Sequence, residues 1–312
     1  MSKPLFSIII RTTNNNRKQL LLRAVLSVIE QNQSKFNIEI IIVNDSDMDL
    51  EKNILLKLKE IKTDNITYKF IKNANKHGRS VAANCGLLAS SGQYIGFLDD
   101  DDYFLPNHLI EHYKIYKNNI DVNFTISLSK EIFEEINRKN ISTIKEDEKK
   151  INNFNKYSLF LFENFFPFNS LIFKKKVLKK TGILDNNLNV LEDWDFIIRL
   201  FVYYEPIFIN KITCCYSTRS GSSNIRMDFE KKTEWRDSYK YVINKYKNFF
   251  KENDILIPIS EIYEASSDYL VKWNNSQREI EEFKDSYVYK FYKSNFYLLL
   301  KKSLRIFKIT RG

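Results

Sequence analysis

The order of apolar and polar segments predicts an α/β chain: a mostly parallel sheet flanked by helices, followed by a helical C-terminal extension. Three observations carry this. Short β-branched runs alternate with helix-spaced segments as far as Leu98, which implies parallel strands joined by right-handed crossovers. Three of those runs end directly in polar or charged residues, so these groups would gather on one rim of the sheet. From about Phe229 the strand-like runs stop, and segments dense in Tyr, Phe, Lys and Glu take over.

Phe6 to Ile10 reads as the first strand, stopping at Arg11-Thr12-Thr13 and an Asn14-Asn15-Asn16 turn. Leu20 to Ile29 has apolar residues at helical spacing. Ile38 to Val43 is apolar except for Glu39, the pattern of a central strand, and it ends in Asn44-Asp45-Ser46-Asp47. Leu50 to Ile61 predicts a helix and Ile66 to Ile71 the third strand. Asn75 to Ser80 is a loop, and Val81 to Ala89 a helix of small residues. Tyr94 to Leu98 is the fourth strand, and it runs into four carboxylates, Asp99-Asp100-Asp101-Asp102. Tyr103-Phe104 and Pro106 then open a helix reaching about Lys117.

Four adjacent anions repel one another. A divalent cation bridged to a phosphate-bearing ligand is their natural counter-charge, and the alternative is a solvated acidic turn. In open α/β sheets ligands sit beyond the carboxyl ends of the strands, where this cluster lies.

Val122 to Leu128 predicts a further strand, and the charged stretch Asn137 to Lys156 reads as a mobile loop or weak helix. Order returns in the aromatic run Phe160 to Phe168 and in Ser170 to Phe173. Glu192-Asp193-Trp194-Asp195 leads into apolar Phe196 to Phe201, so the Glu-Asp pair starts a helix, where backbone amides favour carboxylates. Capping alone needs only one acid. Tyr203 to Thr213 reads as a strand, and Tyr216 to Ser223 as a polar loop rich in phosphate-type donors.

The net charge of +10 points to an anionic partner: nucleic acid, nucleotide or membrane surface. The acids cluster at strand ends, whereas the positive excess lies toward the C-terminus. Tyr287 to Lys308 interleaves Phe, Tyr and Leu with Lys290, Lys293, Lys301, Lys302, Arg305 and Lys308, and no acid follows Asp285. This split suits an enzyme with a basic docking tail better than a nucleic-acid-binding module. The tail, if helical, has the makings of an element lying on anionic lipid; the alternative is packing on the catalytic domain with solvated lysines. The N-terminal residues lack a signal-peptide apolar region and no apolar run approaches 18 residues, so a cytoplasmic, non-spanning protein is expected, peripheral at most to the inner membrane face. Cys85, Cys214 and Cys215 show neither metal-ligand spacing nor an even disulfide framework, and are expected as buried free thiols. His108 and His112 stand at i, i+4, a spacing that can bind zinc; without a third ligand in view they are expected as a helix-surface pair.

Assembled in order, four of these features resemble the family 2 inverting glycosyltransferases of the GT-A (Rossmann-like) fold. They are Ser7-Ile8-Ile9-Ile10-Arg11-Thr12; Ile41-Ile42-Val43-Asn44-Asp45-Ser46; Gly78-Arg79-Ser80 through Gly86 with Gly92 through Asp102; and Gly182 to Asp185 with Glu192-Asp193-Trp194-Asp195. The resemblance covers roughly residues 1–225, implying one nucleotide-sugar-binding and catalytic domain, with 226–312 as the helical basic extension. The family's usual Pro after the first strand is Arg11 here, and its paired Asp at the second strand end is Asn44-Asp45. The Gln-x-x-Arg-Trp motif of processive, membrane-spanning members is absent, which argues for transfer of a single sugar.

The resemblance implies a UDP-hexose donor and, as acceptor, a bacterial surface glycan or lipid-linked glycan. It places Thr12 and Asp45 in the nucleotide pocket, Asp45 at the nucleobase. Asp101 and Asp99 would ligate Mn or Mg on the diphosphate, with Asp100 nearer the ribose; Arg79 and Arg219 add phosphate contacts. Asp193 would be the catalytic base, with Glu192 its neighbour. Two adjacent carboxylates disfavour joint ionisation, which raises the pKa of one toward a value useful to a base. Trp194 is expected in the core or in an acceptor-pocket wall. A haloacid-dehalogenase-type phosphatase would carry its Asp-x-Asp on the first core strand, and a nucleotidyltransferase would want glycines directly after strand one; Arg11 to Arg17 has none.

Overall fold

The computed structural model describes residues 5–13, 17–31, 36–46, 65–73, 78–137, 140–149, 164, 166–219, 229–246 and 248–249. The helix expected at Leu50 to Ile61, the start of the aromatic run at Phe160 and the basic tail Tyr287 to Lys308 lie outside them. The chain divides into two units, Met1–Ile243 and Asn244–Gly312, and the first holds the sheet and the site residues described below.

The first half is a parallel block. Strands β1 (Phe6–Thr12), β2 (Ile38–Asn44), β3 (Ile66–Lys72) and β4 (Tyr94–Asp99) lie in the order β3-β2-β1-β4, all parallel. Helix α1 (Lys18–Ile29) follows β1, and α2 (Arg79–Ala89) links β3 to β4. Every residue of β1 and β2 is buried, as a parallel strand covered on both faces requires. One face packs Phe6, Ile8, Ile10, Ile40 and Leu98 with Leu21 and Val25 of α1. On the other, α2 comes so close that a Cβ at Gly86 would run into Ile9.

Glu39, the acid inside the apolar second strand, is 2% exposed and fastens the amino-terminal edge of this block. It accepts from Ser7 Oγ (2.5 Å), Ser91 N (2.8 Å) and Ser91 Oγ (2.8 Å), and pairs with Lys69 Nζ at 2.6 Å. Burial alone would raise its pKa, but these partners hold it below the ordinary carboxylate value. Glu39→Leu removes the shared acceptor of Ser7 Oγ, Ser91 N, Ser91 Oγ and Lys69 Nζ, so a loss of about 2–4 kcal/mol is expected from urea unfolding. A loss below about 1 kcal/mol would show that the network is not structural.

Beyond β4 the sheet becomes mixed. Short β5 (Tyr103–Phe104) and helix α3 (His108–Asn118) are followed by β6 (Phe124–Asn137), β7 (Asn140–Lys149), β8 (Leu171–Lys174), the one-turn α4 (Leu178–Thr181), α5 (Glu192–Tyr203), β9 (Ile207–Arg219) and α6 (Phe229–Lys245). Their order continues from β4 as β8-β6-β9-β5, with β7 on the side of β6. β8 runs antiparallel to β4 and β6, whereas β6 and β9 are parallel over ten register pairs.

Two expectations fail here. Of the stretch Asn137 to Lys156, the part to Lys149 is not a loop or weak helix, since β7 pairs with β6 in a long hairpin; residues 150–156 lie outside the described residues. The exposed charges of β7 stand on a two-stranded ribbon and can pair across it, as Lys130 does with Glu146 at 2.9 Å, so high charge did not preclude a strand. The segment from Tyr203 is likewise shifted. Helix α5 runs to Tyr203, and the strand begins at Ile207 and continues through Tyr216 to Arg219, where a polar loop was expected. Its hydroxyls find partners in the sheet and on α1: Thr218 Oγ1 donates to Glu131 at 2.8 Å, and Arg23 Nη2 donates to Ser217 Oγ at 3.0 Å.

Cys214 and Cys215 are buried free thiols as expected, but Cys85 is only half-buried. His108 and His112 are not on the surface. Both are wholly buried, with Nδ1 bonded to Thr213 Oγ1 (2.7 Å) and Thr125 Oγ1 (2.6 Å). Their side of α3 faces β9 and β6 rather than water, and burial pushes both pKa values down, that of His112 to about 3. They are neutral packing groups.

Candidate active site

The site follows from strand order. β1 has β2 on one side and β4 on the other, so the order reverses there and a crevice opens beyond the carboxyl ends. The register sets Arg11 opposite Asp99, and Thr12 opposite Asn44. Asp99 closes β4, and Asp102 N bonds back to Asp99 O at 3.0 Å, which curls the quartet into a tight turn.

The compensation expected from a cation is supplied first by arginines of the chain itself. Arg11, at the family's proline position, is 6% exposed. It donates to Asp99 Oδ1 through Nε (2.9 Å) and Nη2 (2.6 Å), and to Glu192 Oε1 through Nη1 (2.9 Å). Arg79, at the start of α2, spans the same two acids: 2.9 Å to Glu192 Oε1 and 3.2 Å to Asp99 Oδ2. Arg17 donates to Asp100 Oδ1 (2.7 Å) and Asp101 Oδ2 (2.5 Å), and Arg219 reaches the same Asp101 oxygen at 2.5 Å. Asp102 accepts from Asn169 Nδ2 (3.1 Å) and Ser217 N (2.9 Å). The quartet is therefore not a solvated turn; Asp100 is 1% exposed.

This wiring separates the four acids. Burial would raise the Asp99 pKa, but Arg11 and Arg79 hold it below the usual range. Burial and Asp101 push Asp100 up to about 7, although Arg17 and a 2.6 Å hydrogen bond from Thr12 Oγ1 oppose the shift. Asp102 is raised as well, by burial and by Asp101 and Asp99. Thr12 thus reaches the cluster through Asp100. Asp45 stands at the neighbouring strand end, where its carboxylate accepts from Asn73 Nδ2 (2.7 Å) and Gly78 N (2.8 Å). That second bond fixes the entry to α2, where Gly78 has φ +144°, a conformation other residues rarely adopt.

The Glu-Asp pair enters from the other half of the chain. Leu191, just before α5, has φ 62°, a left-handed conformation that is strained for leucine. The turn sends Glu192 inward, 1% exposed, onto Arg11 and Arg79. Asp193 stays half-buried; Oδ1 accepts from Trp194 N (2.8 Å) and Oδ2 from Asn164 Nδ2 (2.8 Å). Burial first, and the Glu192 charge second, push the Asp193 pKa up to about 6, against Arg79 and Arg11. Trp194 is core, stacked on Tyr239 at 5.3 Å, which stacks in turn on Trp235 at 5.4 Å.

Arg11 appears in the sequence only as a departure from a pattern, and Arg17 not at all as a site residue. A charge at the end of an all-apolar strand was the available signal, since a buried guanidinium must have partners. The hard oxygens of Asp99 and Asp101 suit Mn or Mg. Among the described residues no three His, Cys, Asp or Glu side chains form a cage. The remaining ligands of such an ion would come from phosphate and water, the usual arrangement for Mg at nucleotide sites.

A strand-end acid cluster at a switch point is thus wired through two arginines to Glu192 at the start of a separate helix. The model for Glycosyl transferase family 2 matches residues 7–182, more than half of the chain. The protein belongs to that family and is a glycosyltransferase that uses a nucleotide-sugar donor. It is 28% identical over 261 residues to an uncharacterized glycosyltransferase of Methanocaldococcus jannaschii, covering 80% of this chain and 87% of that one. It is 36% identical over 107 residues to the GalNAc(5)-diNAcBac-PP-undecaprenol beta-1,3-glucosyltransferase of Campylobacter jejuni, covering 34% of this chain and 32% of the other. The fold is similar to that of S. aureus TarS 1-349 in complex with UDP-GlcNAc (TM-score 0.53, 16% identity, 78% and 72% of the two chains). It is also similar to mannosyltransferase PcManGT of Pyrobaculum calidifontis in complex with GDP-Man and Mn2+ (TM-score 0.51, 12% identity, 87% and 81%). These likenesses establish the GT-A-like fold.

Proposed function

We propose that the protein transfers one hexose, with inversion, from a UDP-sugar to a hydroxyl of a bacterial surface glycan or lipid-linked glycan. The observation that carries this is Asp193: an acid with its pKa raised to about 6, joined through Glu192, Arg11 and Arg79 to Asp99. Inversion needs a base on the face of the sugar opposite the leaving group. Here the base and the leaving-group residues come from different elements, α5 and β4, held by one guanidinium pair.

In this reading Asp193 takes the acceptor hydroxyl proton as that oxygen bonds to the anomeric carbon. The bond from that carbon to the diphosphate breaks, and the nucleoside diphosphate leaves with the electron pair. Asp45 and Thr12 flank the nucleotide, and Asp100 faces the ribose. Asp101, with Asp99, would hold Mn or Mg, whose contribution when bound is to offset charge on the departing diphosphate. Arg79 supplies a further cation on the same side. The C. jejuni relative acts on an undecaprenol-linked glycan by its name, which supports the acceptor class.

Incubation with individual UDP-hexoses, Mn and a lipid-linked acceptor tests the reading, following UDP release and the anomeric configuration of the product. Release of inorganic pyrophosphate, or retention of configuration, would sink it. The pH dependence follows from the sign of the shift. A base works only when ionised, so kcat is expected to fall as pH drops through about 6, where Asp193 gains its proton. Glu192→Gln removes the neighbouring negative charge, which lowers the Asp193 pKa and moves that acid limb to lower pH.

We also assign the basic segment Tyr287 to Lys308 to anionic lipid, from its composition alone. No helix among the described residues is long and apolar enough to cross a membrane. Each basic residue near an anionic surface is worth about 1 kcal/mol. The full chain is therefore expected to sediment with anionic vesicles at low salt and to release at high salt, whereas a truncation after Asp285 stays in solution. Equal behaviour of the two proteins removes the assignment.

A further inference from the structure

Asp101 is gripped from two sides by residues far apart in the chain. Arg17 precedes α1 and Arg219 ends β9, yet both guanidinium groups donate to the same oxygen, Oδ2, at 2.5 Å. The arrangement is enclosed: the side chains of Arg219, Asp101 and Arg17 are 8%, 18% and 27% exposed. Arg17 is braced by Asp100 Oδ1 at 2.7 Å. A third arginine, Arg23, closes the turn from behind by donating to the Asp101 carbonyl (2.6 Å), and is itself held by Glu134. The Asp101 carboxylate is thus aimed by its backbone as well as by its partners.

Two guanidiniums share one carboxylate oxygen, so each has only part of a charge-assisted acceptor there, and both stand where the donor reading places the diphosphate. For a divalent cation arriving alone, Asp101 is a poor ligand, because its oxygen is already shared and two like charges stand beside it. A diphosphate changes both terms. Phosphate oxygens accept guanidinium N–H groups in bidentate pairs and carry more charge than one carboxylate, so they compete well for both arginines.

We propose that Arg17 and Arg219 form a guanidinium latch on Asp101 that transfers to the donor diphosphate, freeing Asp101 to ligate the divalent cation, so that metal and nucleotide bind as a pair. Both arginines are then donor-phosphate ligands as well as guards of the metal ligand. The inference rests on the donor-site reading given above. Reciprocity makes it quantitative: the factor by which UDP tightens Mn binding must equal the factor by which Mn tightens UDP binding.

The test is calorimetric titration, with the Mn2+ spin-resonance signal as a second readout. Four measurements are made on the full-length protein: Mn2+ alone, UDP alone, Mn2+ at saturating UDP and UDP at saturating Mn2+. In the wild type each partner is expected to tighten the other by roughly 10- to 100-fold. In Arg219→Gln and in Arg17→Gln, Mn2+ alone binds several-fold more tightly, UDP alone more weakly, and the mutual enhancement shrinks. Two independent positions, each checked for wild-type near-ultraviolet circular dichroism, separate the latch from a folding defect at either one. Wild-type protein that binds Mn2+ equally well with and without UDP overturns the proposal. So do variants whose affinity for Mn2+ alone is unchanged. If wild-type protein binds no UDP under any condition, the donor-site reading falls, and the latch with it.

Discussion

Asp193→Asn is expected to lower turnover by roughly two to four orders of magnitude, the range for loss of a positioned general base. The amide keeps the shape of the carboxylate and an oxygen to accept from Trp194 N or from Asn164, but it cannot accept a proton at neutral pH. Because Glu192, Arg11 and Arg79 keep their mutual contacts, donor affinity should stay near that of the wild type. Single-turnover rates together with a UDP-sugar dissociation constant separate the two effects. Retained turnover would place the base elsewhere. Asp195 is not a ready substitute, since it is 0% exposed and paired to Arg199 at 2.7 Å. Glu192 is equally committed, to two guanidiniums.

Asp101→Ala is expected to abolish the metal dependence of donor binding and to lower donor affinity in the presence of Mn by roughly 100-fold, the scale of a disrupted metal site. The substitution also releases Arg17 and Arg219. Metal-free UDP affinity should therefore hold or rise, while Mn no longer enhances it. Titration of UDP with and without Mn reads both quantities. An unchanged Mn effect in the variant would exclude Asp101 as a ligand. Asp102→Asn offers a contrast: that side chain accepts from Asn169 and Ser217 N, and the change should affect stability more than metal dependence.

The amino-acid sequence by itself determined the α/β class, the parallel half of the sheet, the acids at its strand ends and the Glu-Asp pair at a helix start. Strands such as β1 and β2 are legible because burial on both faces demands unbroken apolar runs, and acids at strand ends are legible because a parallel sheet sends those ends to one rim. The Glu-Asp pair could be read at a helix start because an apolar helix follows it directly. The β6–β7 ribbon was hidden, since cross-strand charge pairs stabilise a hairpin without any apolar period.

Only the tertiary structure decided how the charges of the site are distributed. Arg11, Arg79 and Arg219 lie on three separate elements and Arg17 in the turn before α1, and nothing in their spacing shows that all four meet the acid quartet or its Glu192 partner. The same holds for His108 and His112, whose i, i+4 spacing gives a face of the helix but not what covers it. Burial and electrostatic pairing are properties of non-local contacts, so a pKa near 6 at Asp193, or a carboxylate shared between two guanidiniums, exists only once β1, β4, α5 and β9 are brought to one point.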